Sequence, residues 1–198
     1  DKQVAERKAD EFLRELQQEE VGIIPPRIQR EAVHRDLGEH IEDYVADLRA
    51  SGRDFDYLQI VELRLGKLKR ECHWQTLRDI TADSFQEWRS RQQLAAKTLK
   101  QYFDTLNSFM KWLVRNGRAA VNPMDGVTRI KTRGKEVRQR RAFTVEEMER
   151  LLKVAGPRRL GYLTAVYTAL RRGELAALEW GDIHLNGAYP ELCVRVTT

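Results

Sequence analysis

Along most of the chain, apolar positions recur at helical rather than strand spacing. From Asp1 to Glu20, Val4, Ala5, Ala9, Phe12, Leu13 and Leu16 form one stripe with charged residues opposite, predicting an amphipathic helix. Its stripe needs a partner: the next domain, another chain or a preceding domain. The paired prolines closing Val21 to Pro26 favour extended backbone and end this helix.

From about Arg35 to Gly126 the pattern predicts four helices. Asp36 to Ser51 carries Leu37, Ile41, Tyr44, Val45 and Leu48, with Gly52 as a stop. Tyr57 to Cys72 carries Leu58, Val61, Leu65 and Leu68, with Arg64, Lys67, Lys69 and Arg70 beside them. Thr81 can cap a short helix holding Phe85 and Trp88. Ala95 to Arg115 is the clearest helix: Leu99, Tyr102, Phe103, Leu106, Met110 and Leu113 share one face, and Lys97, Lys100, Gln101, Asp104, Ser108 and Lys111 another. Gly117 and Asn122-Pro123 close this part.

Helical periodicity then lapses and resumes at Phe143-Thr144-Val145-Glu146-Glu147, where Thr144 and Glu147 make a capping box. Gly156-Pro157 breaks that helix. Arg159 to Trp180 predicts two buried helices meeting at a charged corner, Arg171-Arg172-Gly173-Glu174. Alternation of Leu192, Val194 and Val196 within Tyr189 to Thr197 predicts a strand, with no second strand expected in the chain.

A chain of 198 residues suits one large domain or two small ones, and 41% hydrophobic residues suffice for packed cores. No apolar run approaches the ~20 residues needed to span a bilayer. The polar opening DKQVAERKAD is not a signal peptide. Cys72 and Cys193 form no disulfide framework, so a reducing cytoplasm is expected and a membrane is not. Charge sharpens this picture. Between Val127 and Arg141, Arg129, Lys131, Arg133, Lys135, Arg138, Arg140 and Arg141 stand against Glu136 alone, a net +6 in a chain whose total is +5. Such a strap suits a phosphate backbone, though a solvated interdomain linker reads the same way.

Familiar chemistries drop out. His34, His40, His73 and His184 lack metal-ligand spacing, and neither a phosphate-binding loop nor a nucleophile elbow occurs. The Arg171 corner remains. A guanidinium partly buried between two apolar helices needs a carboxylate or an anionic ligand, and Glu174, three residues on, can face the same side. Read structurally, the residues alone make a helix-end ion pair, a common arrangement.

The run T-A-L-R-R-G-E-L-A-A-L-E-W-G-D-I, about two dozen residues after F-T-V-E-E, resembles the start of the catalytic domain of the tyrosine recombinases, or phage-type integrases. Ala169 stands where that family usually has glycine. The helix K-T-L-K-Q-Y-F-D-T-L-N-S-F-M-K-W-L and the following Asn122-Pro123 resemble the family's core-type DNA-binding domain. The resemblance spans about Arg35 to Thr198. It implies attack of a tyrosine on a DNA phosphodiester, a 3′-phosphotyrosine link, and resolution by a second 5′-hydroxyl. Arg171 matches the first catalytic arginine and Glu174 a supporting acid. The family's lysine, His-x-x-Arg and nucleophilic tyrosine fall beyond Thr198, so these 198 residues are expected not to cleave DNA.

The resulting expectation is a mainly α protein: a small helical-bundle DNA-binding domain followed by the truncated start of an α+β catalytic domain. Residues 1–26 form a helix and linker resembling the end of an arm-binding domain, 35–126 the core-type domain, 127–141 the basic linker and 142–198 the catalytic part. Duplex DNA is the expected partner, reached by Lys97, Thr98, Lys100 and Gln101 and by Arg138, Arg140 and Arg141. An ordinary solvated face would look the same at the first four. The resemblance implies no metal or other cofactor, a full-length tetramer on DNA, and a fragment monomeric in solution. A stand-alone DNA-binding regulator and a non-catalytic helical interaction module are the alternatives.

Overall fold

A computed structural model of the chain describes residues 2–131, 141–186 and 189–194. These form nine α-helices, four short 3-10 turns and one two-stranded ladder, a mainly α fold. They divide into two compact units, Asp1–Val137 and Arg138–Thr198. No helix among the described residues is long and apolar enough to cross a membrane.

The first unit contains α1 (Lys2–Glu20), α2 (Arg27–Ala32), α3 (Leu37–Ala50), α4 (Phe55–Glu71), α5 (Ala82–Arg91) and α6 (Ala96–Arg115). Asp36 caps α3 by accepting from the Gly38 amide at 2.6 Å, and Gly52 ends it at φ 76°. Thr81 caps α5 with Ser84, each side chain satisfying the other's backbone N–H. The helix α2 was not anticipated. The extended backbone expected at the prolines does occur at Pro26 (φ −51°, ψ 145°), yet this residue serves as an N-cap from which a helix starts at once.

The core lies among α3, α4, α5 and α6. Leu37, Ile41, Leu65, Leu68, Phe85, Phe109 and Leu113 are buried together there. Three tryptophans anchor it, and each indole N–H finds an acceptor: Trp74 donates to Ser84 (3.2 Å), Trp88 to Glu71 (2.7 Å) and Trp112 to Asp47 (3.0 Å). The Tyr44 ring packs against Phe109 at 5.4 Å and Trp112 at 5.3 Å, and burial pushes its hydroxyl up to about 12. By contrast Val4, Phe12, Leu13 and Leu16 of α1 are exposed, and the helix is tethered near its C-terminal end by Arg30, which pairs with Glu15 and Glu19.

His40 is wholly buried. Its Nε2 lies 2.9 Å from the Ala32 carbonyl, which can only accept, so the proton sits on Nε2 and Nδ1 accepts from Arg118 at 3.2 Å. Arg118 and Arg35 both donate to Asp43 beside it. Burial foremost, and then the two arginines, push the imidazole below its ordinary value, despite the carbonyl's opposing pull.

The second unit contains α7 (Val145–Val154), α8 (Arg159–Thr168), α9 (Arg172–Ala176), β1 (Ile183–His184) and β2 (Glu191–Leu192). The strands pair antiparallel, Ile183 opposite Leu192, which corrects the expectation of an unpartnered strand. The Cys193 backbone N–H donates to the Asp182 carbonyl at 2.8 Å. Val196 lies outside the described residues. The two helices around the charged corner are also not buried: α7, α8 and α9 contain no buried residue. Three short helices and a two-residue ladder have too little surface to enclose one another.

His40 sets a pH dependence for the first unit. Its folded-state pKa is depressed, so above about pH 6.5 the imidazole is neutral folded and unfolded alike and its contribution is whole. As pH falls through that value the unfolded chain binds the proton first, and stability is lost. Urea midpoints should therefore drop between pH 7.5 and 5.5, and His40→Gln, which can still donate to Ala32, should flatten the drop. An equal drop in the variant would exclude His40 as its source.

Candidate nucleic-acid interface

In the first unit the site is built where α6 begins. Ala95 occupies its N-cap and has no side chain able to accept a hydrogen bond, and no acid stands in the first turn. Lys97 does, exposed, at the end of the helix where the dipole is positive. An uncapped helix end bearing a lysine is electrostatically unfavourable in the free protein, and an anion relieves it.

Beside this end an open groove of about 590 Å³ runs between α5, α6 and the start of the strap. Leu94, Ala96, Leu99 and Ile130 floor it, and Arg89, Arg129 and Lys131 edge it. Arg89 donates to the Thr128 carbonyl at 3.1 Å, tying the first strap residues to α5. No sequence pattern marked Arg89, because only tertiary packing brings it to the strap.

The four α6 residues singled out from the sequence fall into two groups. Lys97 is exposed and Thr98 half-buried in the first turn, next to the groove-lining Ala96 and Leu99. Lys100 is paired with Asp104 four residues on at 2.5 Å, and the Gln101 side-chain carbonyl accepts from Arg64 of α4 at 2.9 Å. Arg64 also donates to Thr105, and Lys67 lies 5.6 Å over the Tyr102 ring. Thus α4 holds the middle of α6 and leaves its first turn to solvent. Of the strap residues, Arg138 and Arg140 lie outside the described residues, as do Arg133 and Lys135. Arg141 forms a two-bonded pair with Glu147 at 2.6 and 2.7 Å.

In the second unit, α8 ends at Thr168, the chain turns at Ala169 in the left-handed region (φ 54°, ψ 22°), and Arg171 becomes the N-cap of α9. Glu174, in the first turn of α9, accepts from both the Arg171 backbone N–H and its Nη1, each at 2.8 Å. Those bonds, the backbone one first, hold the Glu174 carboxyl below the usual range. The Arg171 side chain is 87% exposed, which corrects the expectation of partial burial: among the described residues no layer covers the corner. Only Nη1 is engaged with Glu174. The Nε–Nη2 edge, whose two parallel N–H groups match a pair of oxygens, faces no hydrogen-bond partner among the described residues. Arg172 is likewise exposed. Tyr167 and Tyr189 are exposed, whereas Tyr44 is buried. No cluster of metal-ligating side chains occurs among the described residues.

No protein-family model matches the sequence, and no curated protein does. Solved structures do. A lambda integrase tetramer bound to a Holliday junction aligns over 84% of this chain and 49% of its own, with TM-score 0.64 and 22% identity. A lambda integrase dimer bound to a COC′ core site aligns over 75% and 43%, at 0.59 and 21%. A lambda integrase (75–356) dimer on the same site aligns over 78% and 57%, at 0.59 and 22%. The fold is similar to that of the aligned part of lambda integrase. This chain spans about half the length of those integrases, and at these identities the likeness concerns fold.

The left-handed turn explains the residue that departs from the integrase pattern. Ala169 accepts a conformation natural to glycine, and its N–H still bonds the Ala165 carbonyl at 3.0 Å. Ala169→Gly should stabilise the corner by about 1 kcal/mol. Hydrogen exchange of the Leu175 amide, which bonds Arg171, should then slow by about fivefold. Faster exchange would show that the turn is not strained.

Proposed function

We propose that this chain is the DNA-clamping part of a site-specific recombinase: the first unit and the strap bind the duplex backbone, and the second unit brings Arg171 to a phosphate. The observation that carries this reading is the uncapped, lysine-bearing start of α6 beside Arg129 and Lys131, in an integrase fold whose aligned structures are bound to DNA. Lys97 and Thr98 act with the free amides of that turn. Lys100 and Gln101 reach DNA once Asp104 and Arg64 release or share them. Arg138 and Arg140 follow the backbone along the strap.

Arg171 is the catalytic group of the set. Its Nε–Nη2 edge grips two non-bridging phosphate oxygens, and its positive charge stabilises the charge that grows on them as the phosphorus is attacked. Glu174 positions the guanidinium through Nη1 and keeps that edge outward. The whole protein breaks and rejoins strands through a 3′-phosphotyrosine and works as a tetramer on paired sites.

A second reading, a helical protein-interaction module, is favoured by the exposed stripe of α1. Salt titration separates the two. Duplex binding through about four to six phosphates should have a log–log salt slope near −0.9 per contact, a loss of roughly a hundredfold to a thousandfold between 50 and 200 mM salt. Lys97→Glu should weaken binding and make the slope shallower. Undetectable duplex binding at low salt, or binding indifferent to salt, would overturn the clamp.

A further inference from the structure

Arg64 of α4 is a cation held by neutral groups. Half-buried, it donates through Nη2 to the Gln101 side-chain carbonyl at 2.9 Å and through Nη1 to Thr105 Oγ1 at 3.2 Å. Thr105 in turn donates to the Gln101 backbone carbonyl at 2.8 Å, so one guanidinium fork clasps one turn of α6. Among the described residues no carboxylate pairs with Arg64, and its charge stays uncancelled at this spot.

The clasp settles how Gln101 is presented. A guanidinium only donates, so the side-chain carbonyl oxygen faces Arg64 and Nε2 is left over. Nε2 has no hydrogen-bond partner among the described residues, and no buried side-chain polar atom there lacks one, so this nitrogen is open to solvent. A carbonyl that accepts from a cation also polarises its own amide, which strengthens the free N–H groups as donors. Gln101 stands four residues after Lys97, one turn along the same face of α6.

We propose that Arg64 is a positioning residue: it holds Gln101 by its carbonyl and presents the Nε2 amide to a phosphate oxygen beside the first turn of α6. The inference rests on the clamp reading and deepens it by dividing the roles. Gln101 touches the duplex as a donor alone, and Arg64 does not touch it. Reading adenine would need the same carbonyl as an acceptor toward the base, and Arg64 keeps it. The contact therefore adds affinity without base preference.

A double-mutant cycle on the whole chain separates this role from a direct contact by Arg64. Arg64→Met keeps much of the stem and removes the fork, while Thr105 keeps its bond to the Gln101 backbone carbonyl. Arg64→Met and Gln101→Met should each weaken duplex binding by about three- to tenfold, and the double variant no more than either. All three should keep the wild-type salt slope, because the donor lost is neutral, and the losses should be equal on duplexes of unrelated sequence. Losses that add, or a slope shallower by about 0.9 in Arg64→Met, mean that Arg64 meets phosphate itself and overturn the proposal. A Gln101→Met loss that is absent, or confined to one duplex, overturns it as well.

A DNA-free arm keeps failure of this proposal apart from failure of the clamp. In nitrogen–proton correlation spectra of the free protein, the Gln101 side-chain amide should resonate away from the position of unrestrained glutamines and return to it in Arg64→Met. A wild-type amide already at that position overturns the proposal even where duplex binds. An amide held by Arg64 in a protein that binds no duplex at low salt brings down the clamp, and the phosphate contact with it.

Discussion

The first unit depends on the burial of one face of α6. Phe103, Leu106, Phe109, Met110 and Leu113 enter the core from that face, where they meet α3, α4 and α5. Each such side chain withdraws apolar surface worth about 1.5–3 kcal/mol, so no other single element commits as much. The same burial decides where the helix points. With its middle fixed by the core and by Arg64, the first turn of α6 is left at the surface with neither a capping side chain nor an acid. Packing thus supplies the stability and, as a geometric consequence, the positive end that an anion can satisfy.

The second unit uses a different device. It holds no buried helix face, and its order near the proposed site comes from two first-turn glutamates, each of which accepts from the backbone N–H three residues before it and also holds an arginine. Glu147 fixes Arg141, and Glu174 fixes Arg171. The outcomes differ because the geometry differs. Glu147 takes both terminal nitrogens of its partner, whereas Glu174 takes only Nη1 and the backbone N–H. Arg141 gives both terminal nitrogens to its acid, and Arg171 keeps its Nε–Nη2 edge without a hydrogen-bond partner among the described residues.

Much of this was legible in the sequence, and what was not had definite physical causes. The helices of the first unit follow from their apolar periods, and Thr81 and Thr144 mark true N-caps because capping chemistry is local. The short α2 was missed because an extended proline can also be an N-cap. Burial of the Arg171 corner was wrong because apolar composition says that a segment can be covered, not that anything covers it. The β1–β2 ladder involves two residues per strand, too few to show alternation. At the interface, Lys97 could be picked out by type and position, but Arg64 and Arg89 owe their places to tertiary contacts that no spacing encodes. The αL turn at Ala169 was hidden as well, since alanine does not advertise positive φ.

The central claim is that the first turn of α6 meets the DNA backbone. Titration of a short duplex into isotopically labelled protein, followed by backbone amide shifts, tests it most directly. The account predicts that Ala96, Lys97 and Thr98 shift most within the first unit, and that Arg171 shifts in the second. Shifts absent from that turn and concentrated instead along α1 would contradict it.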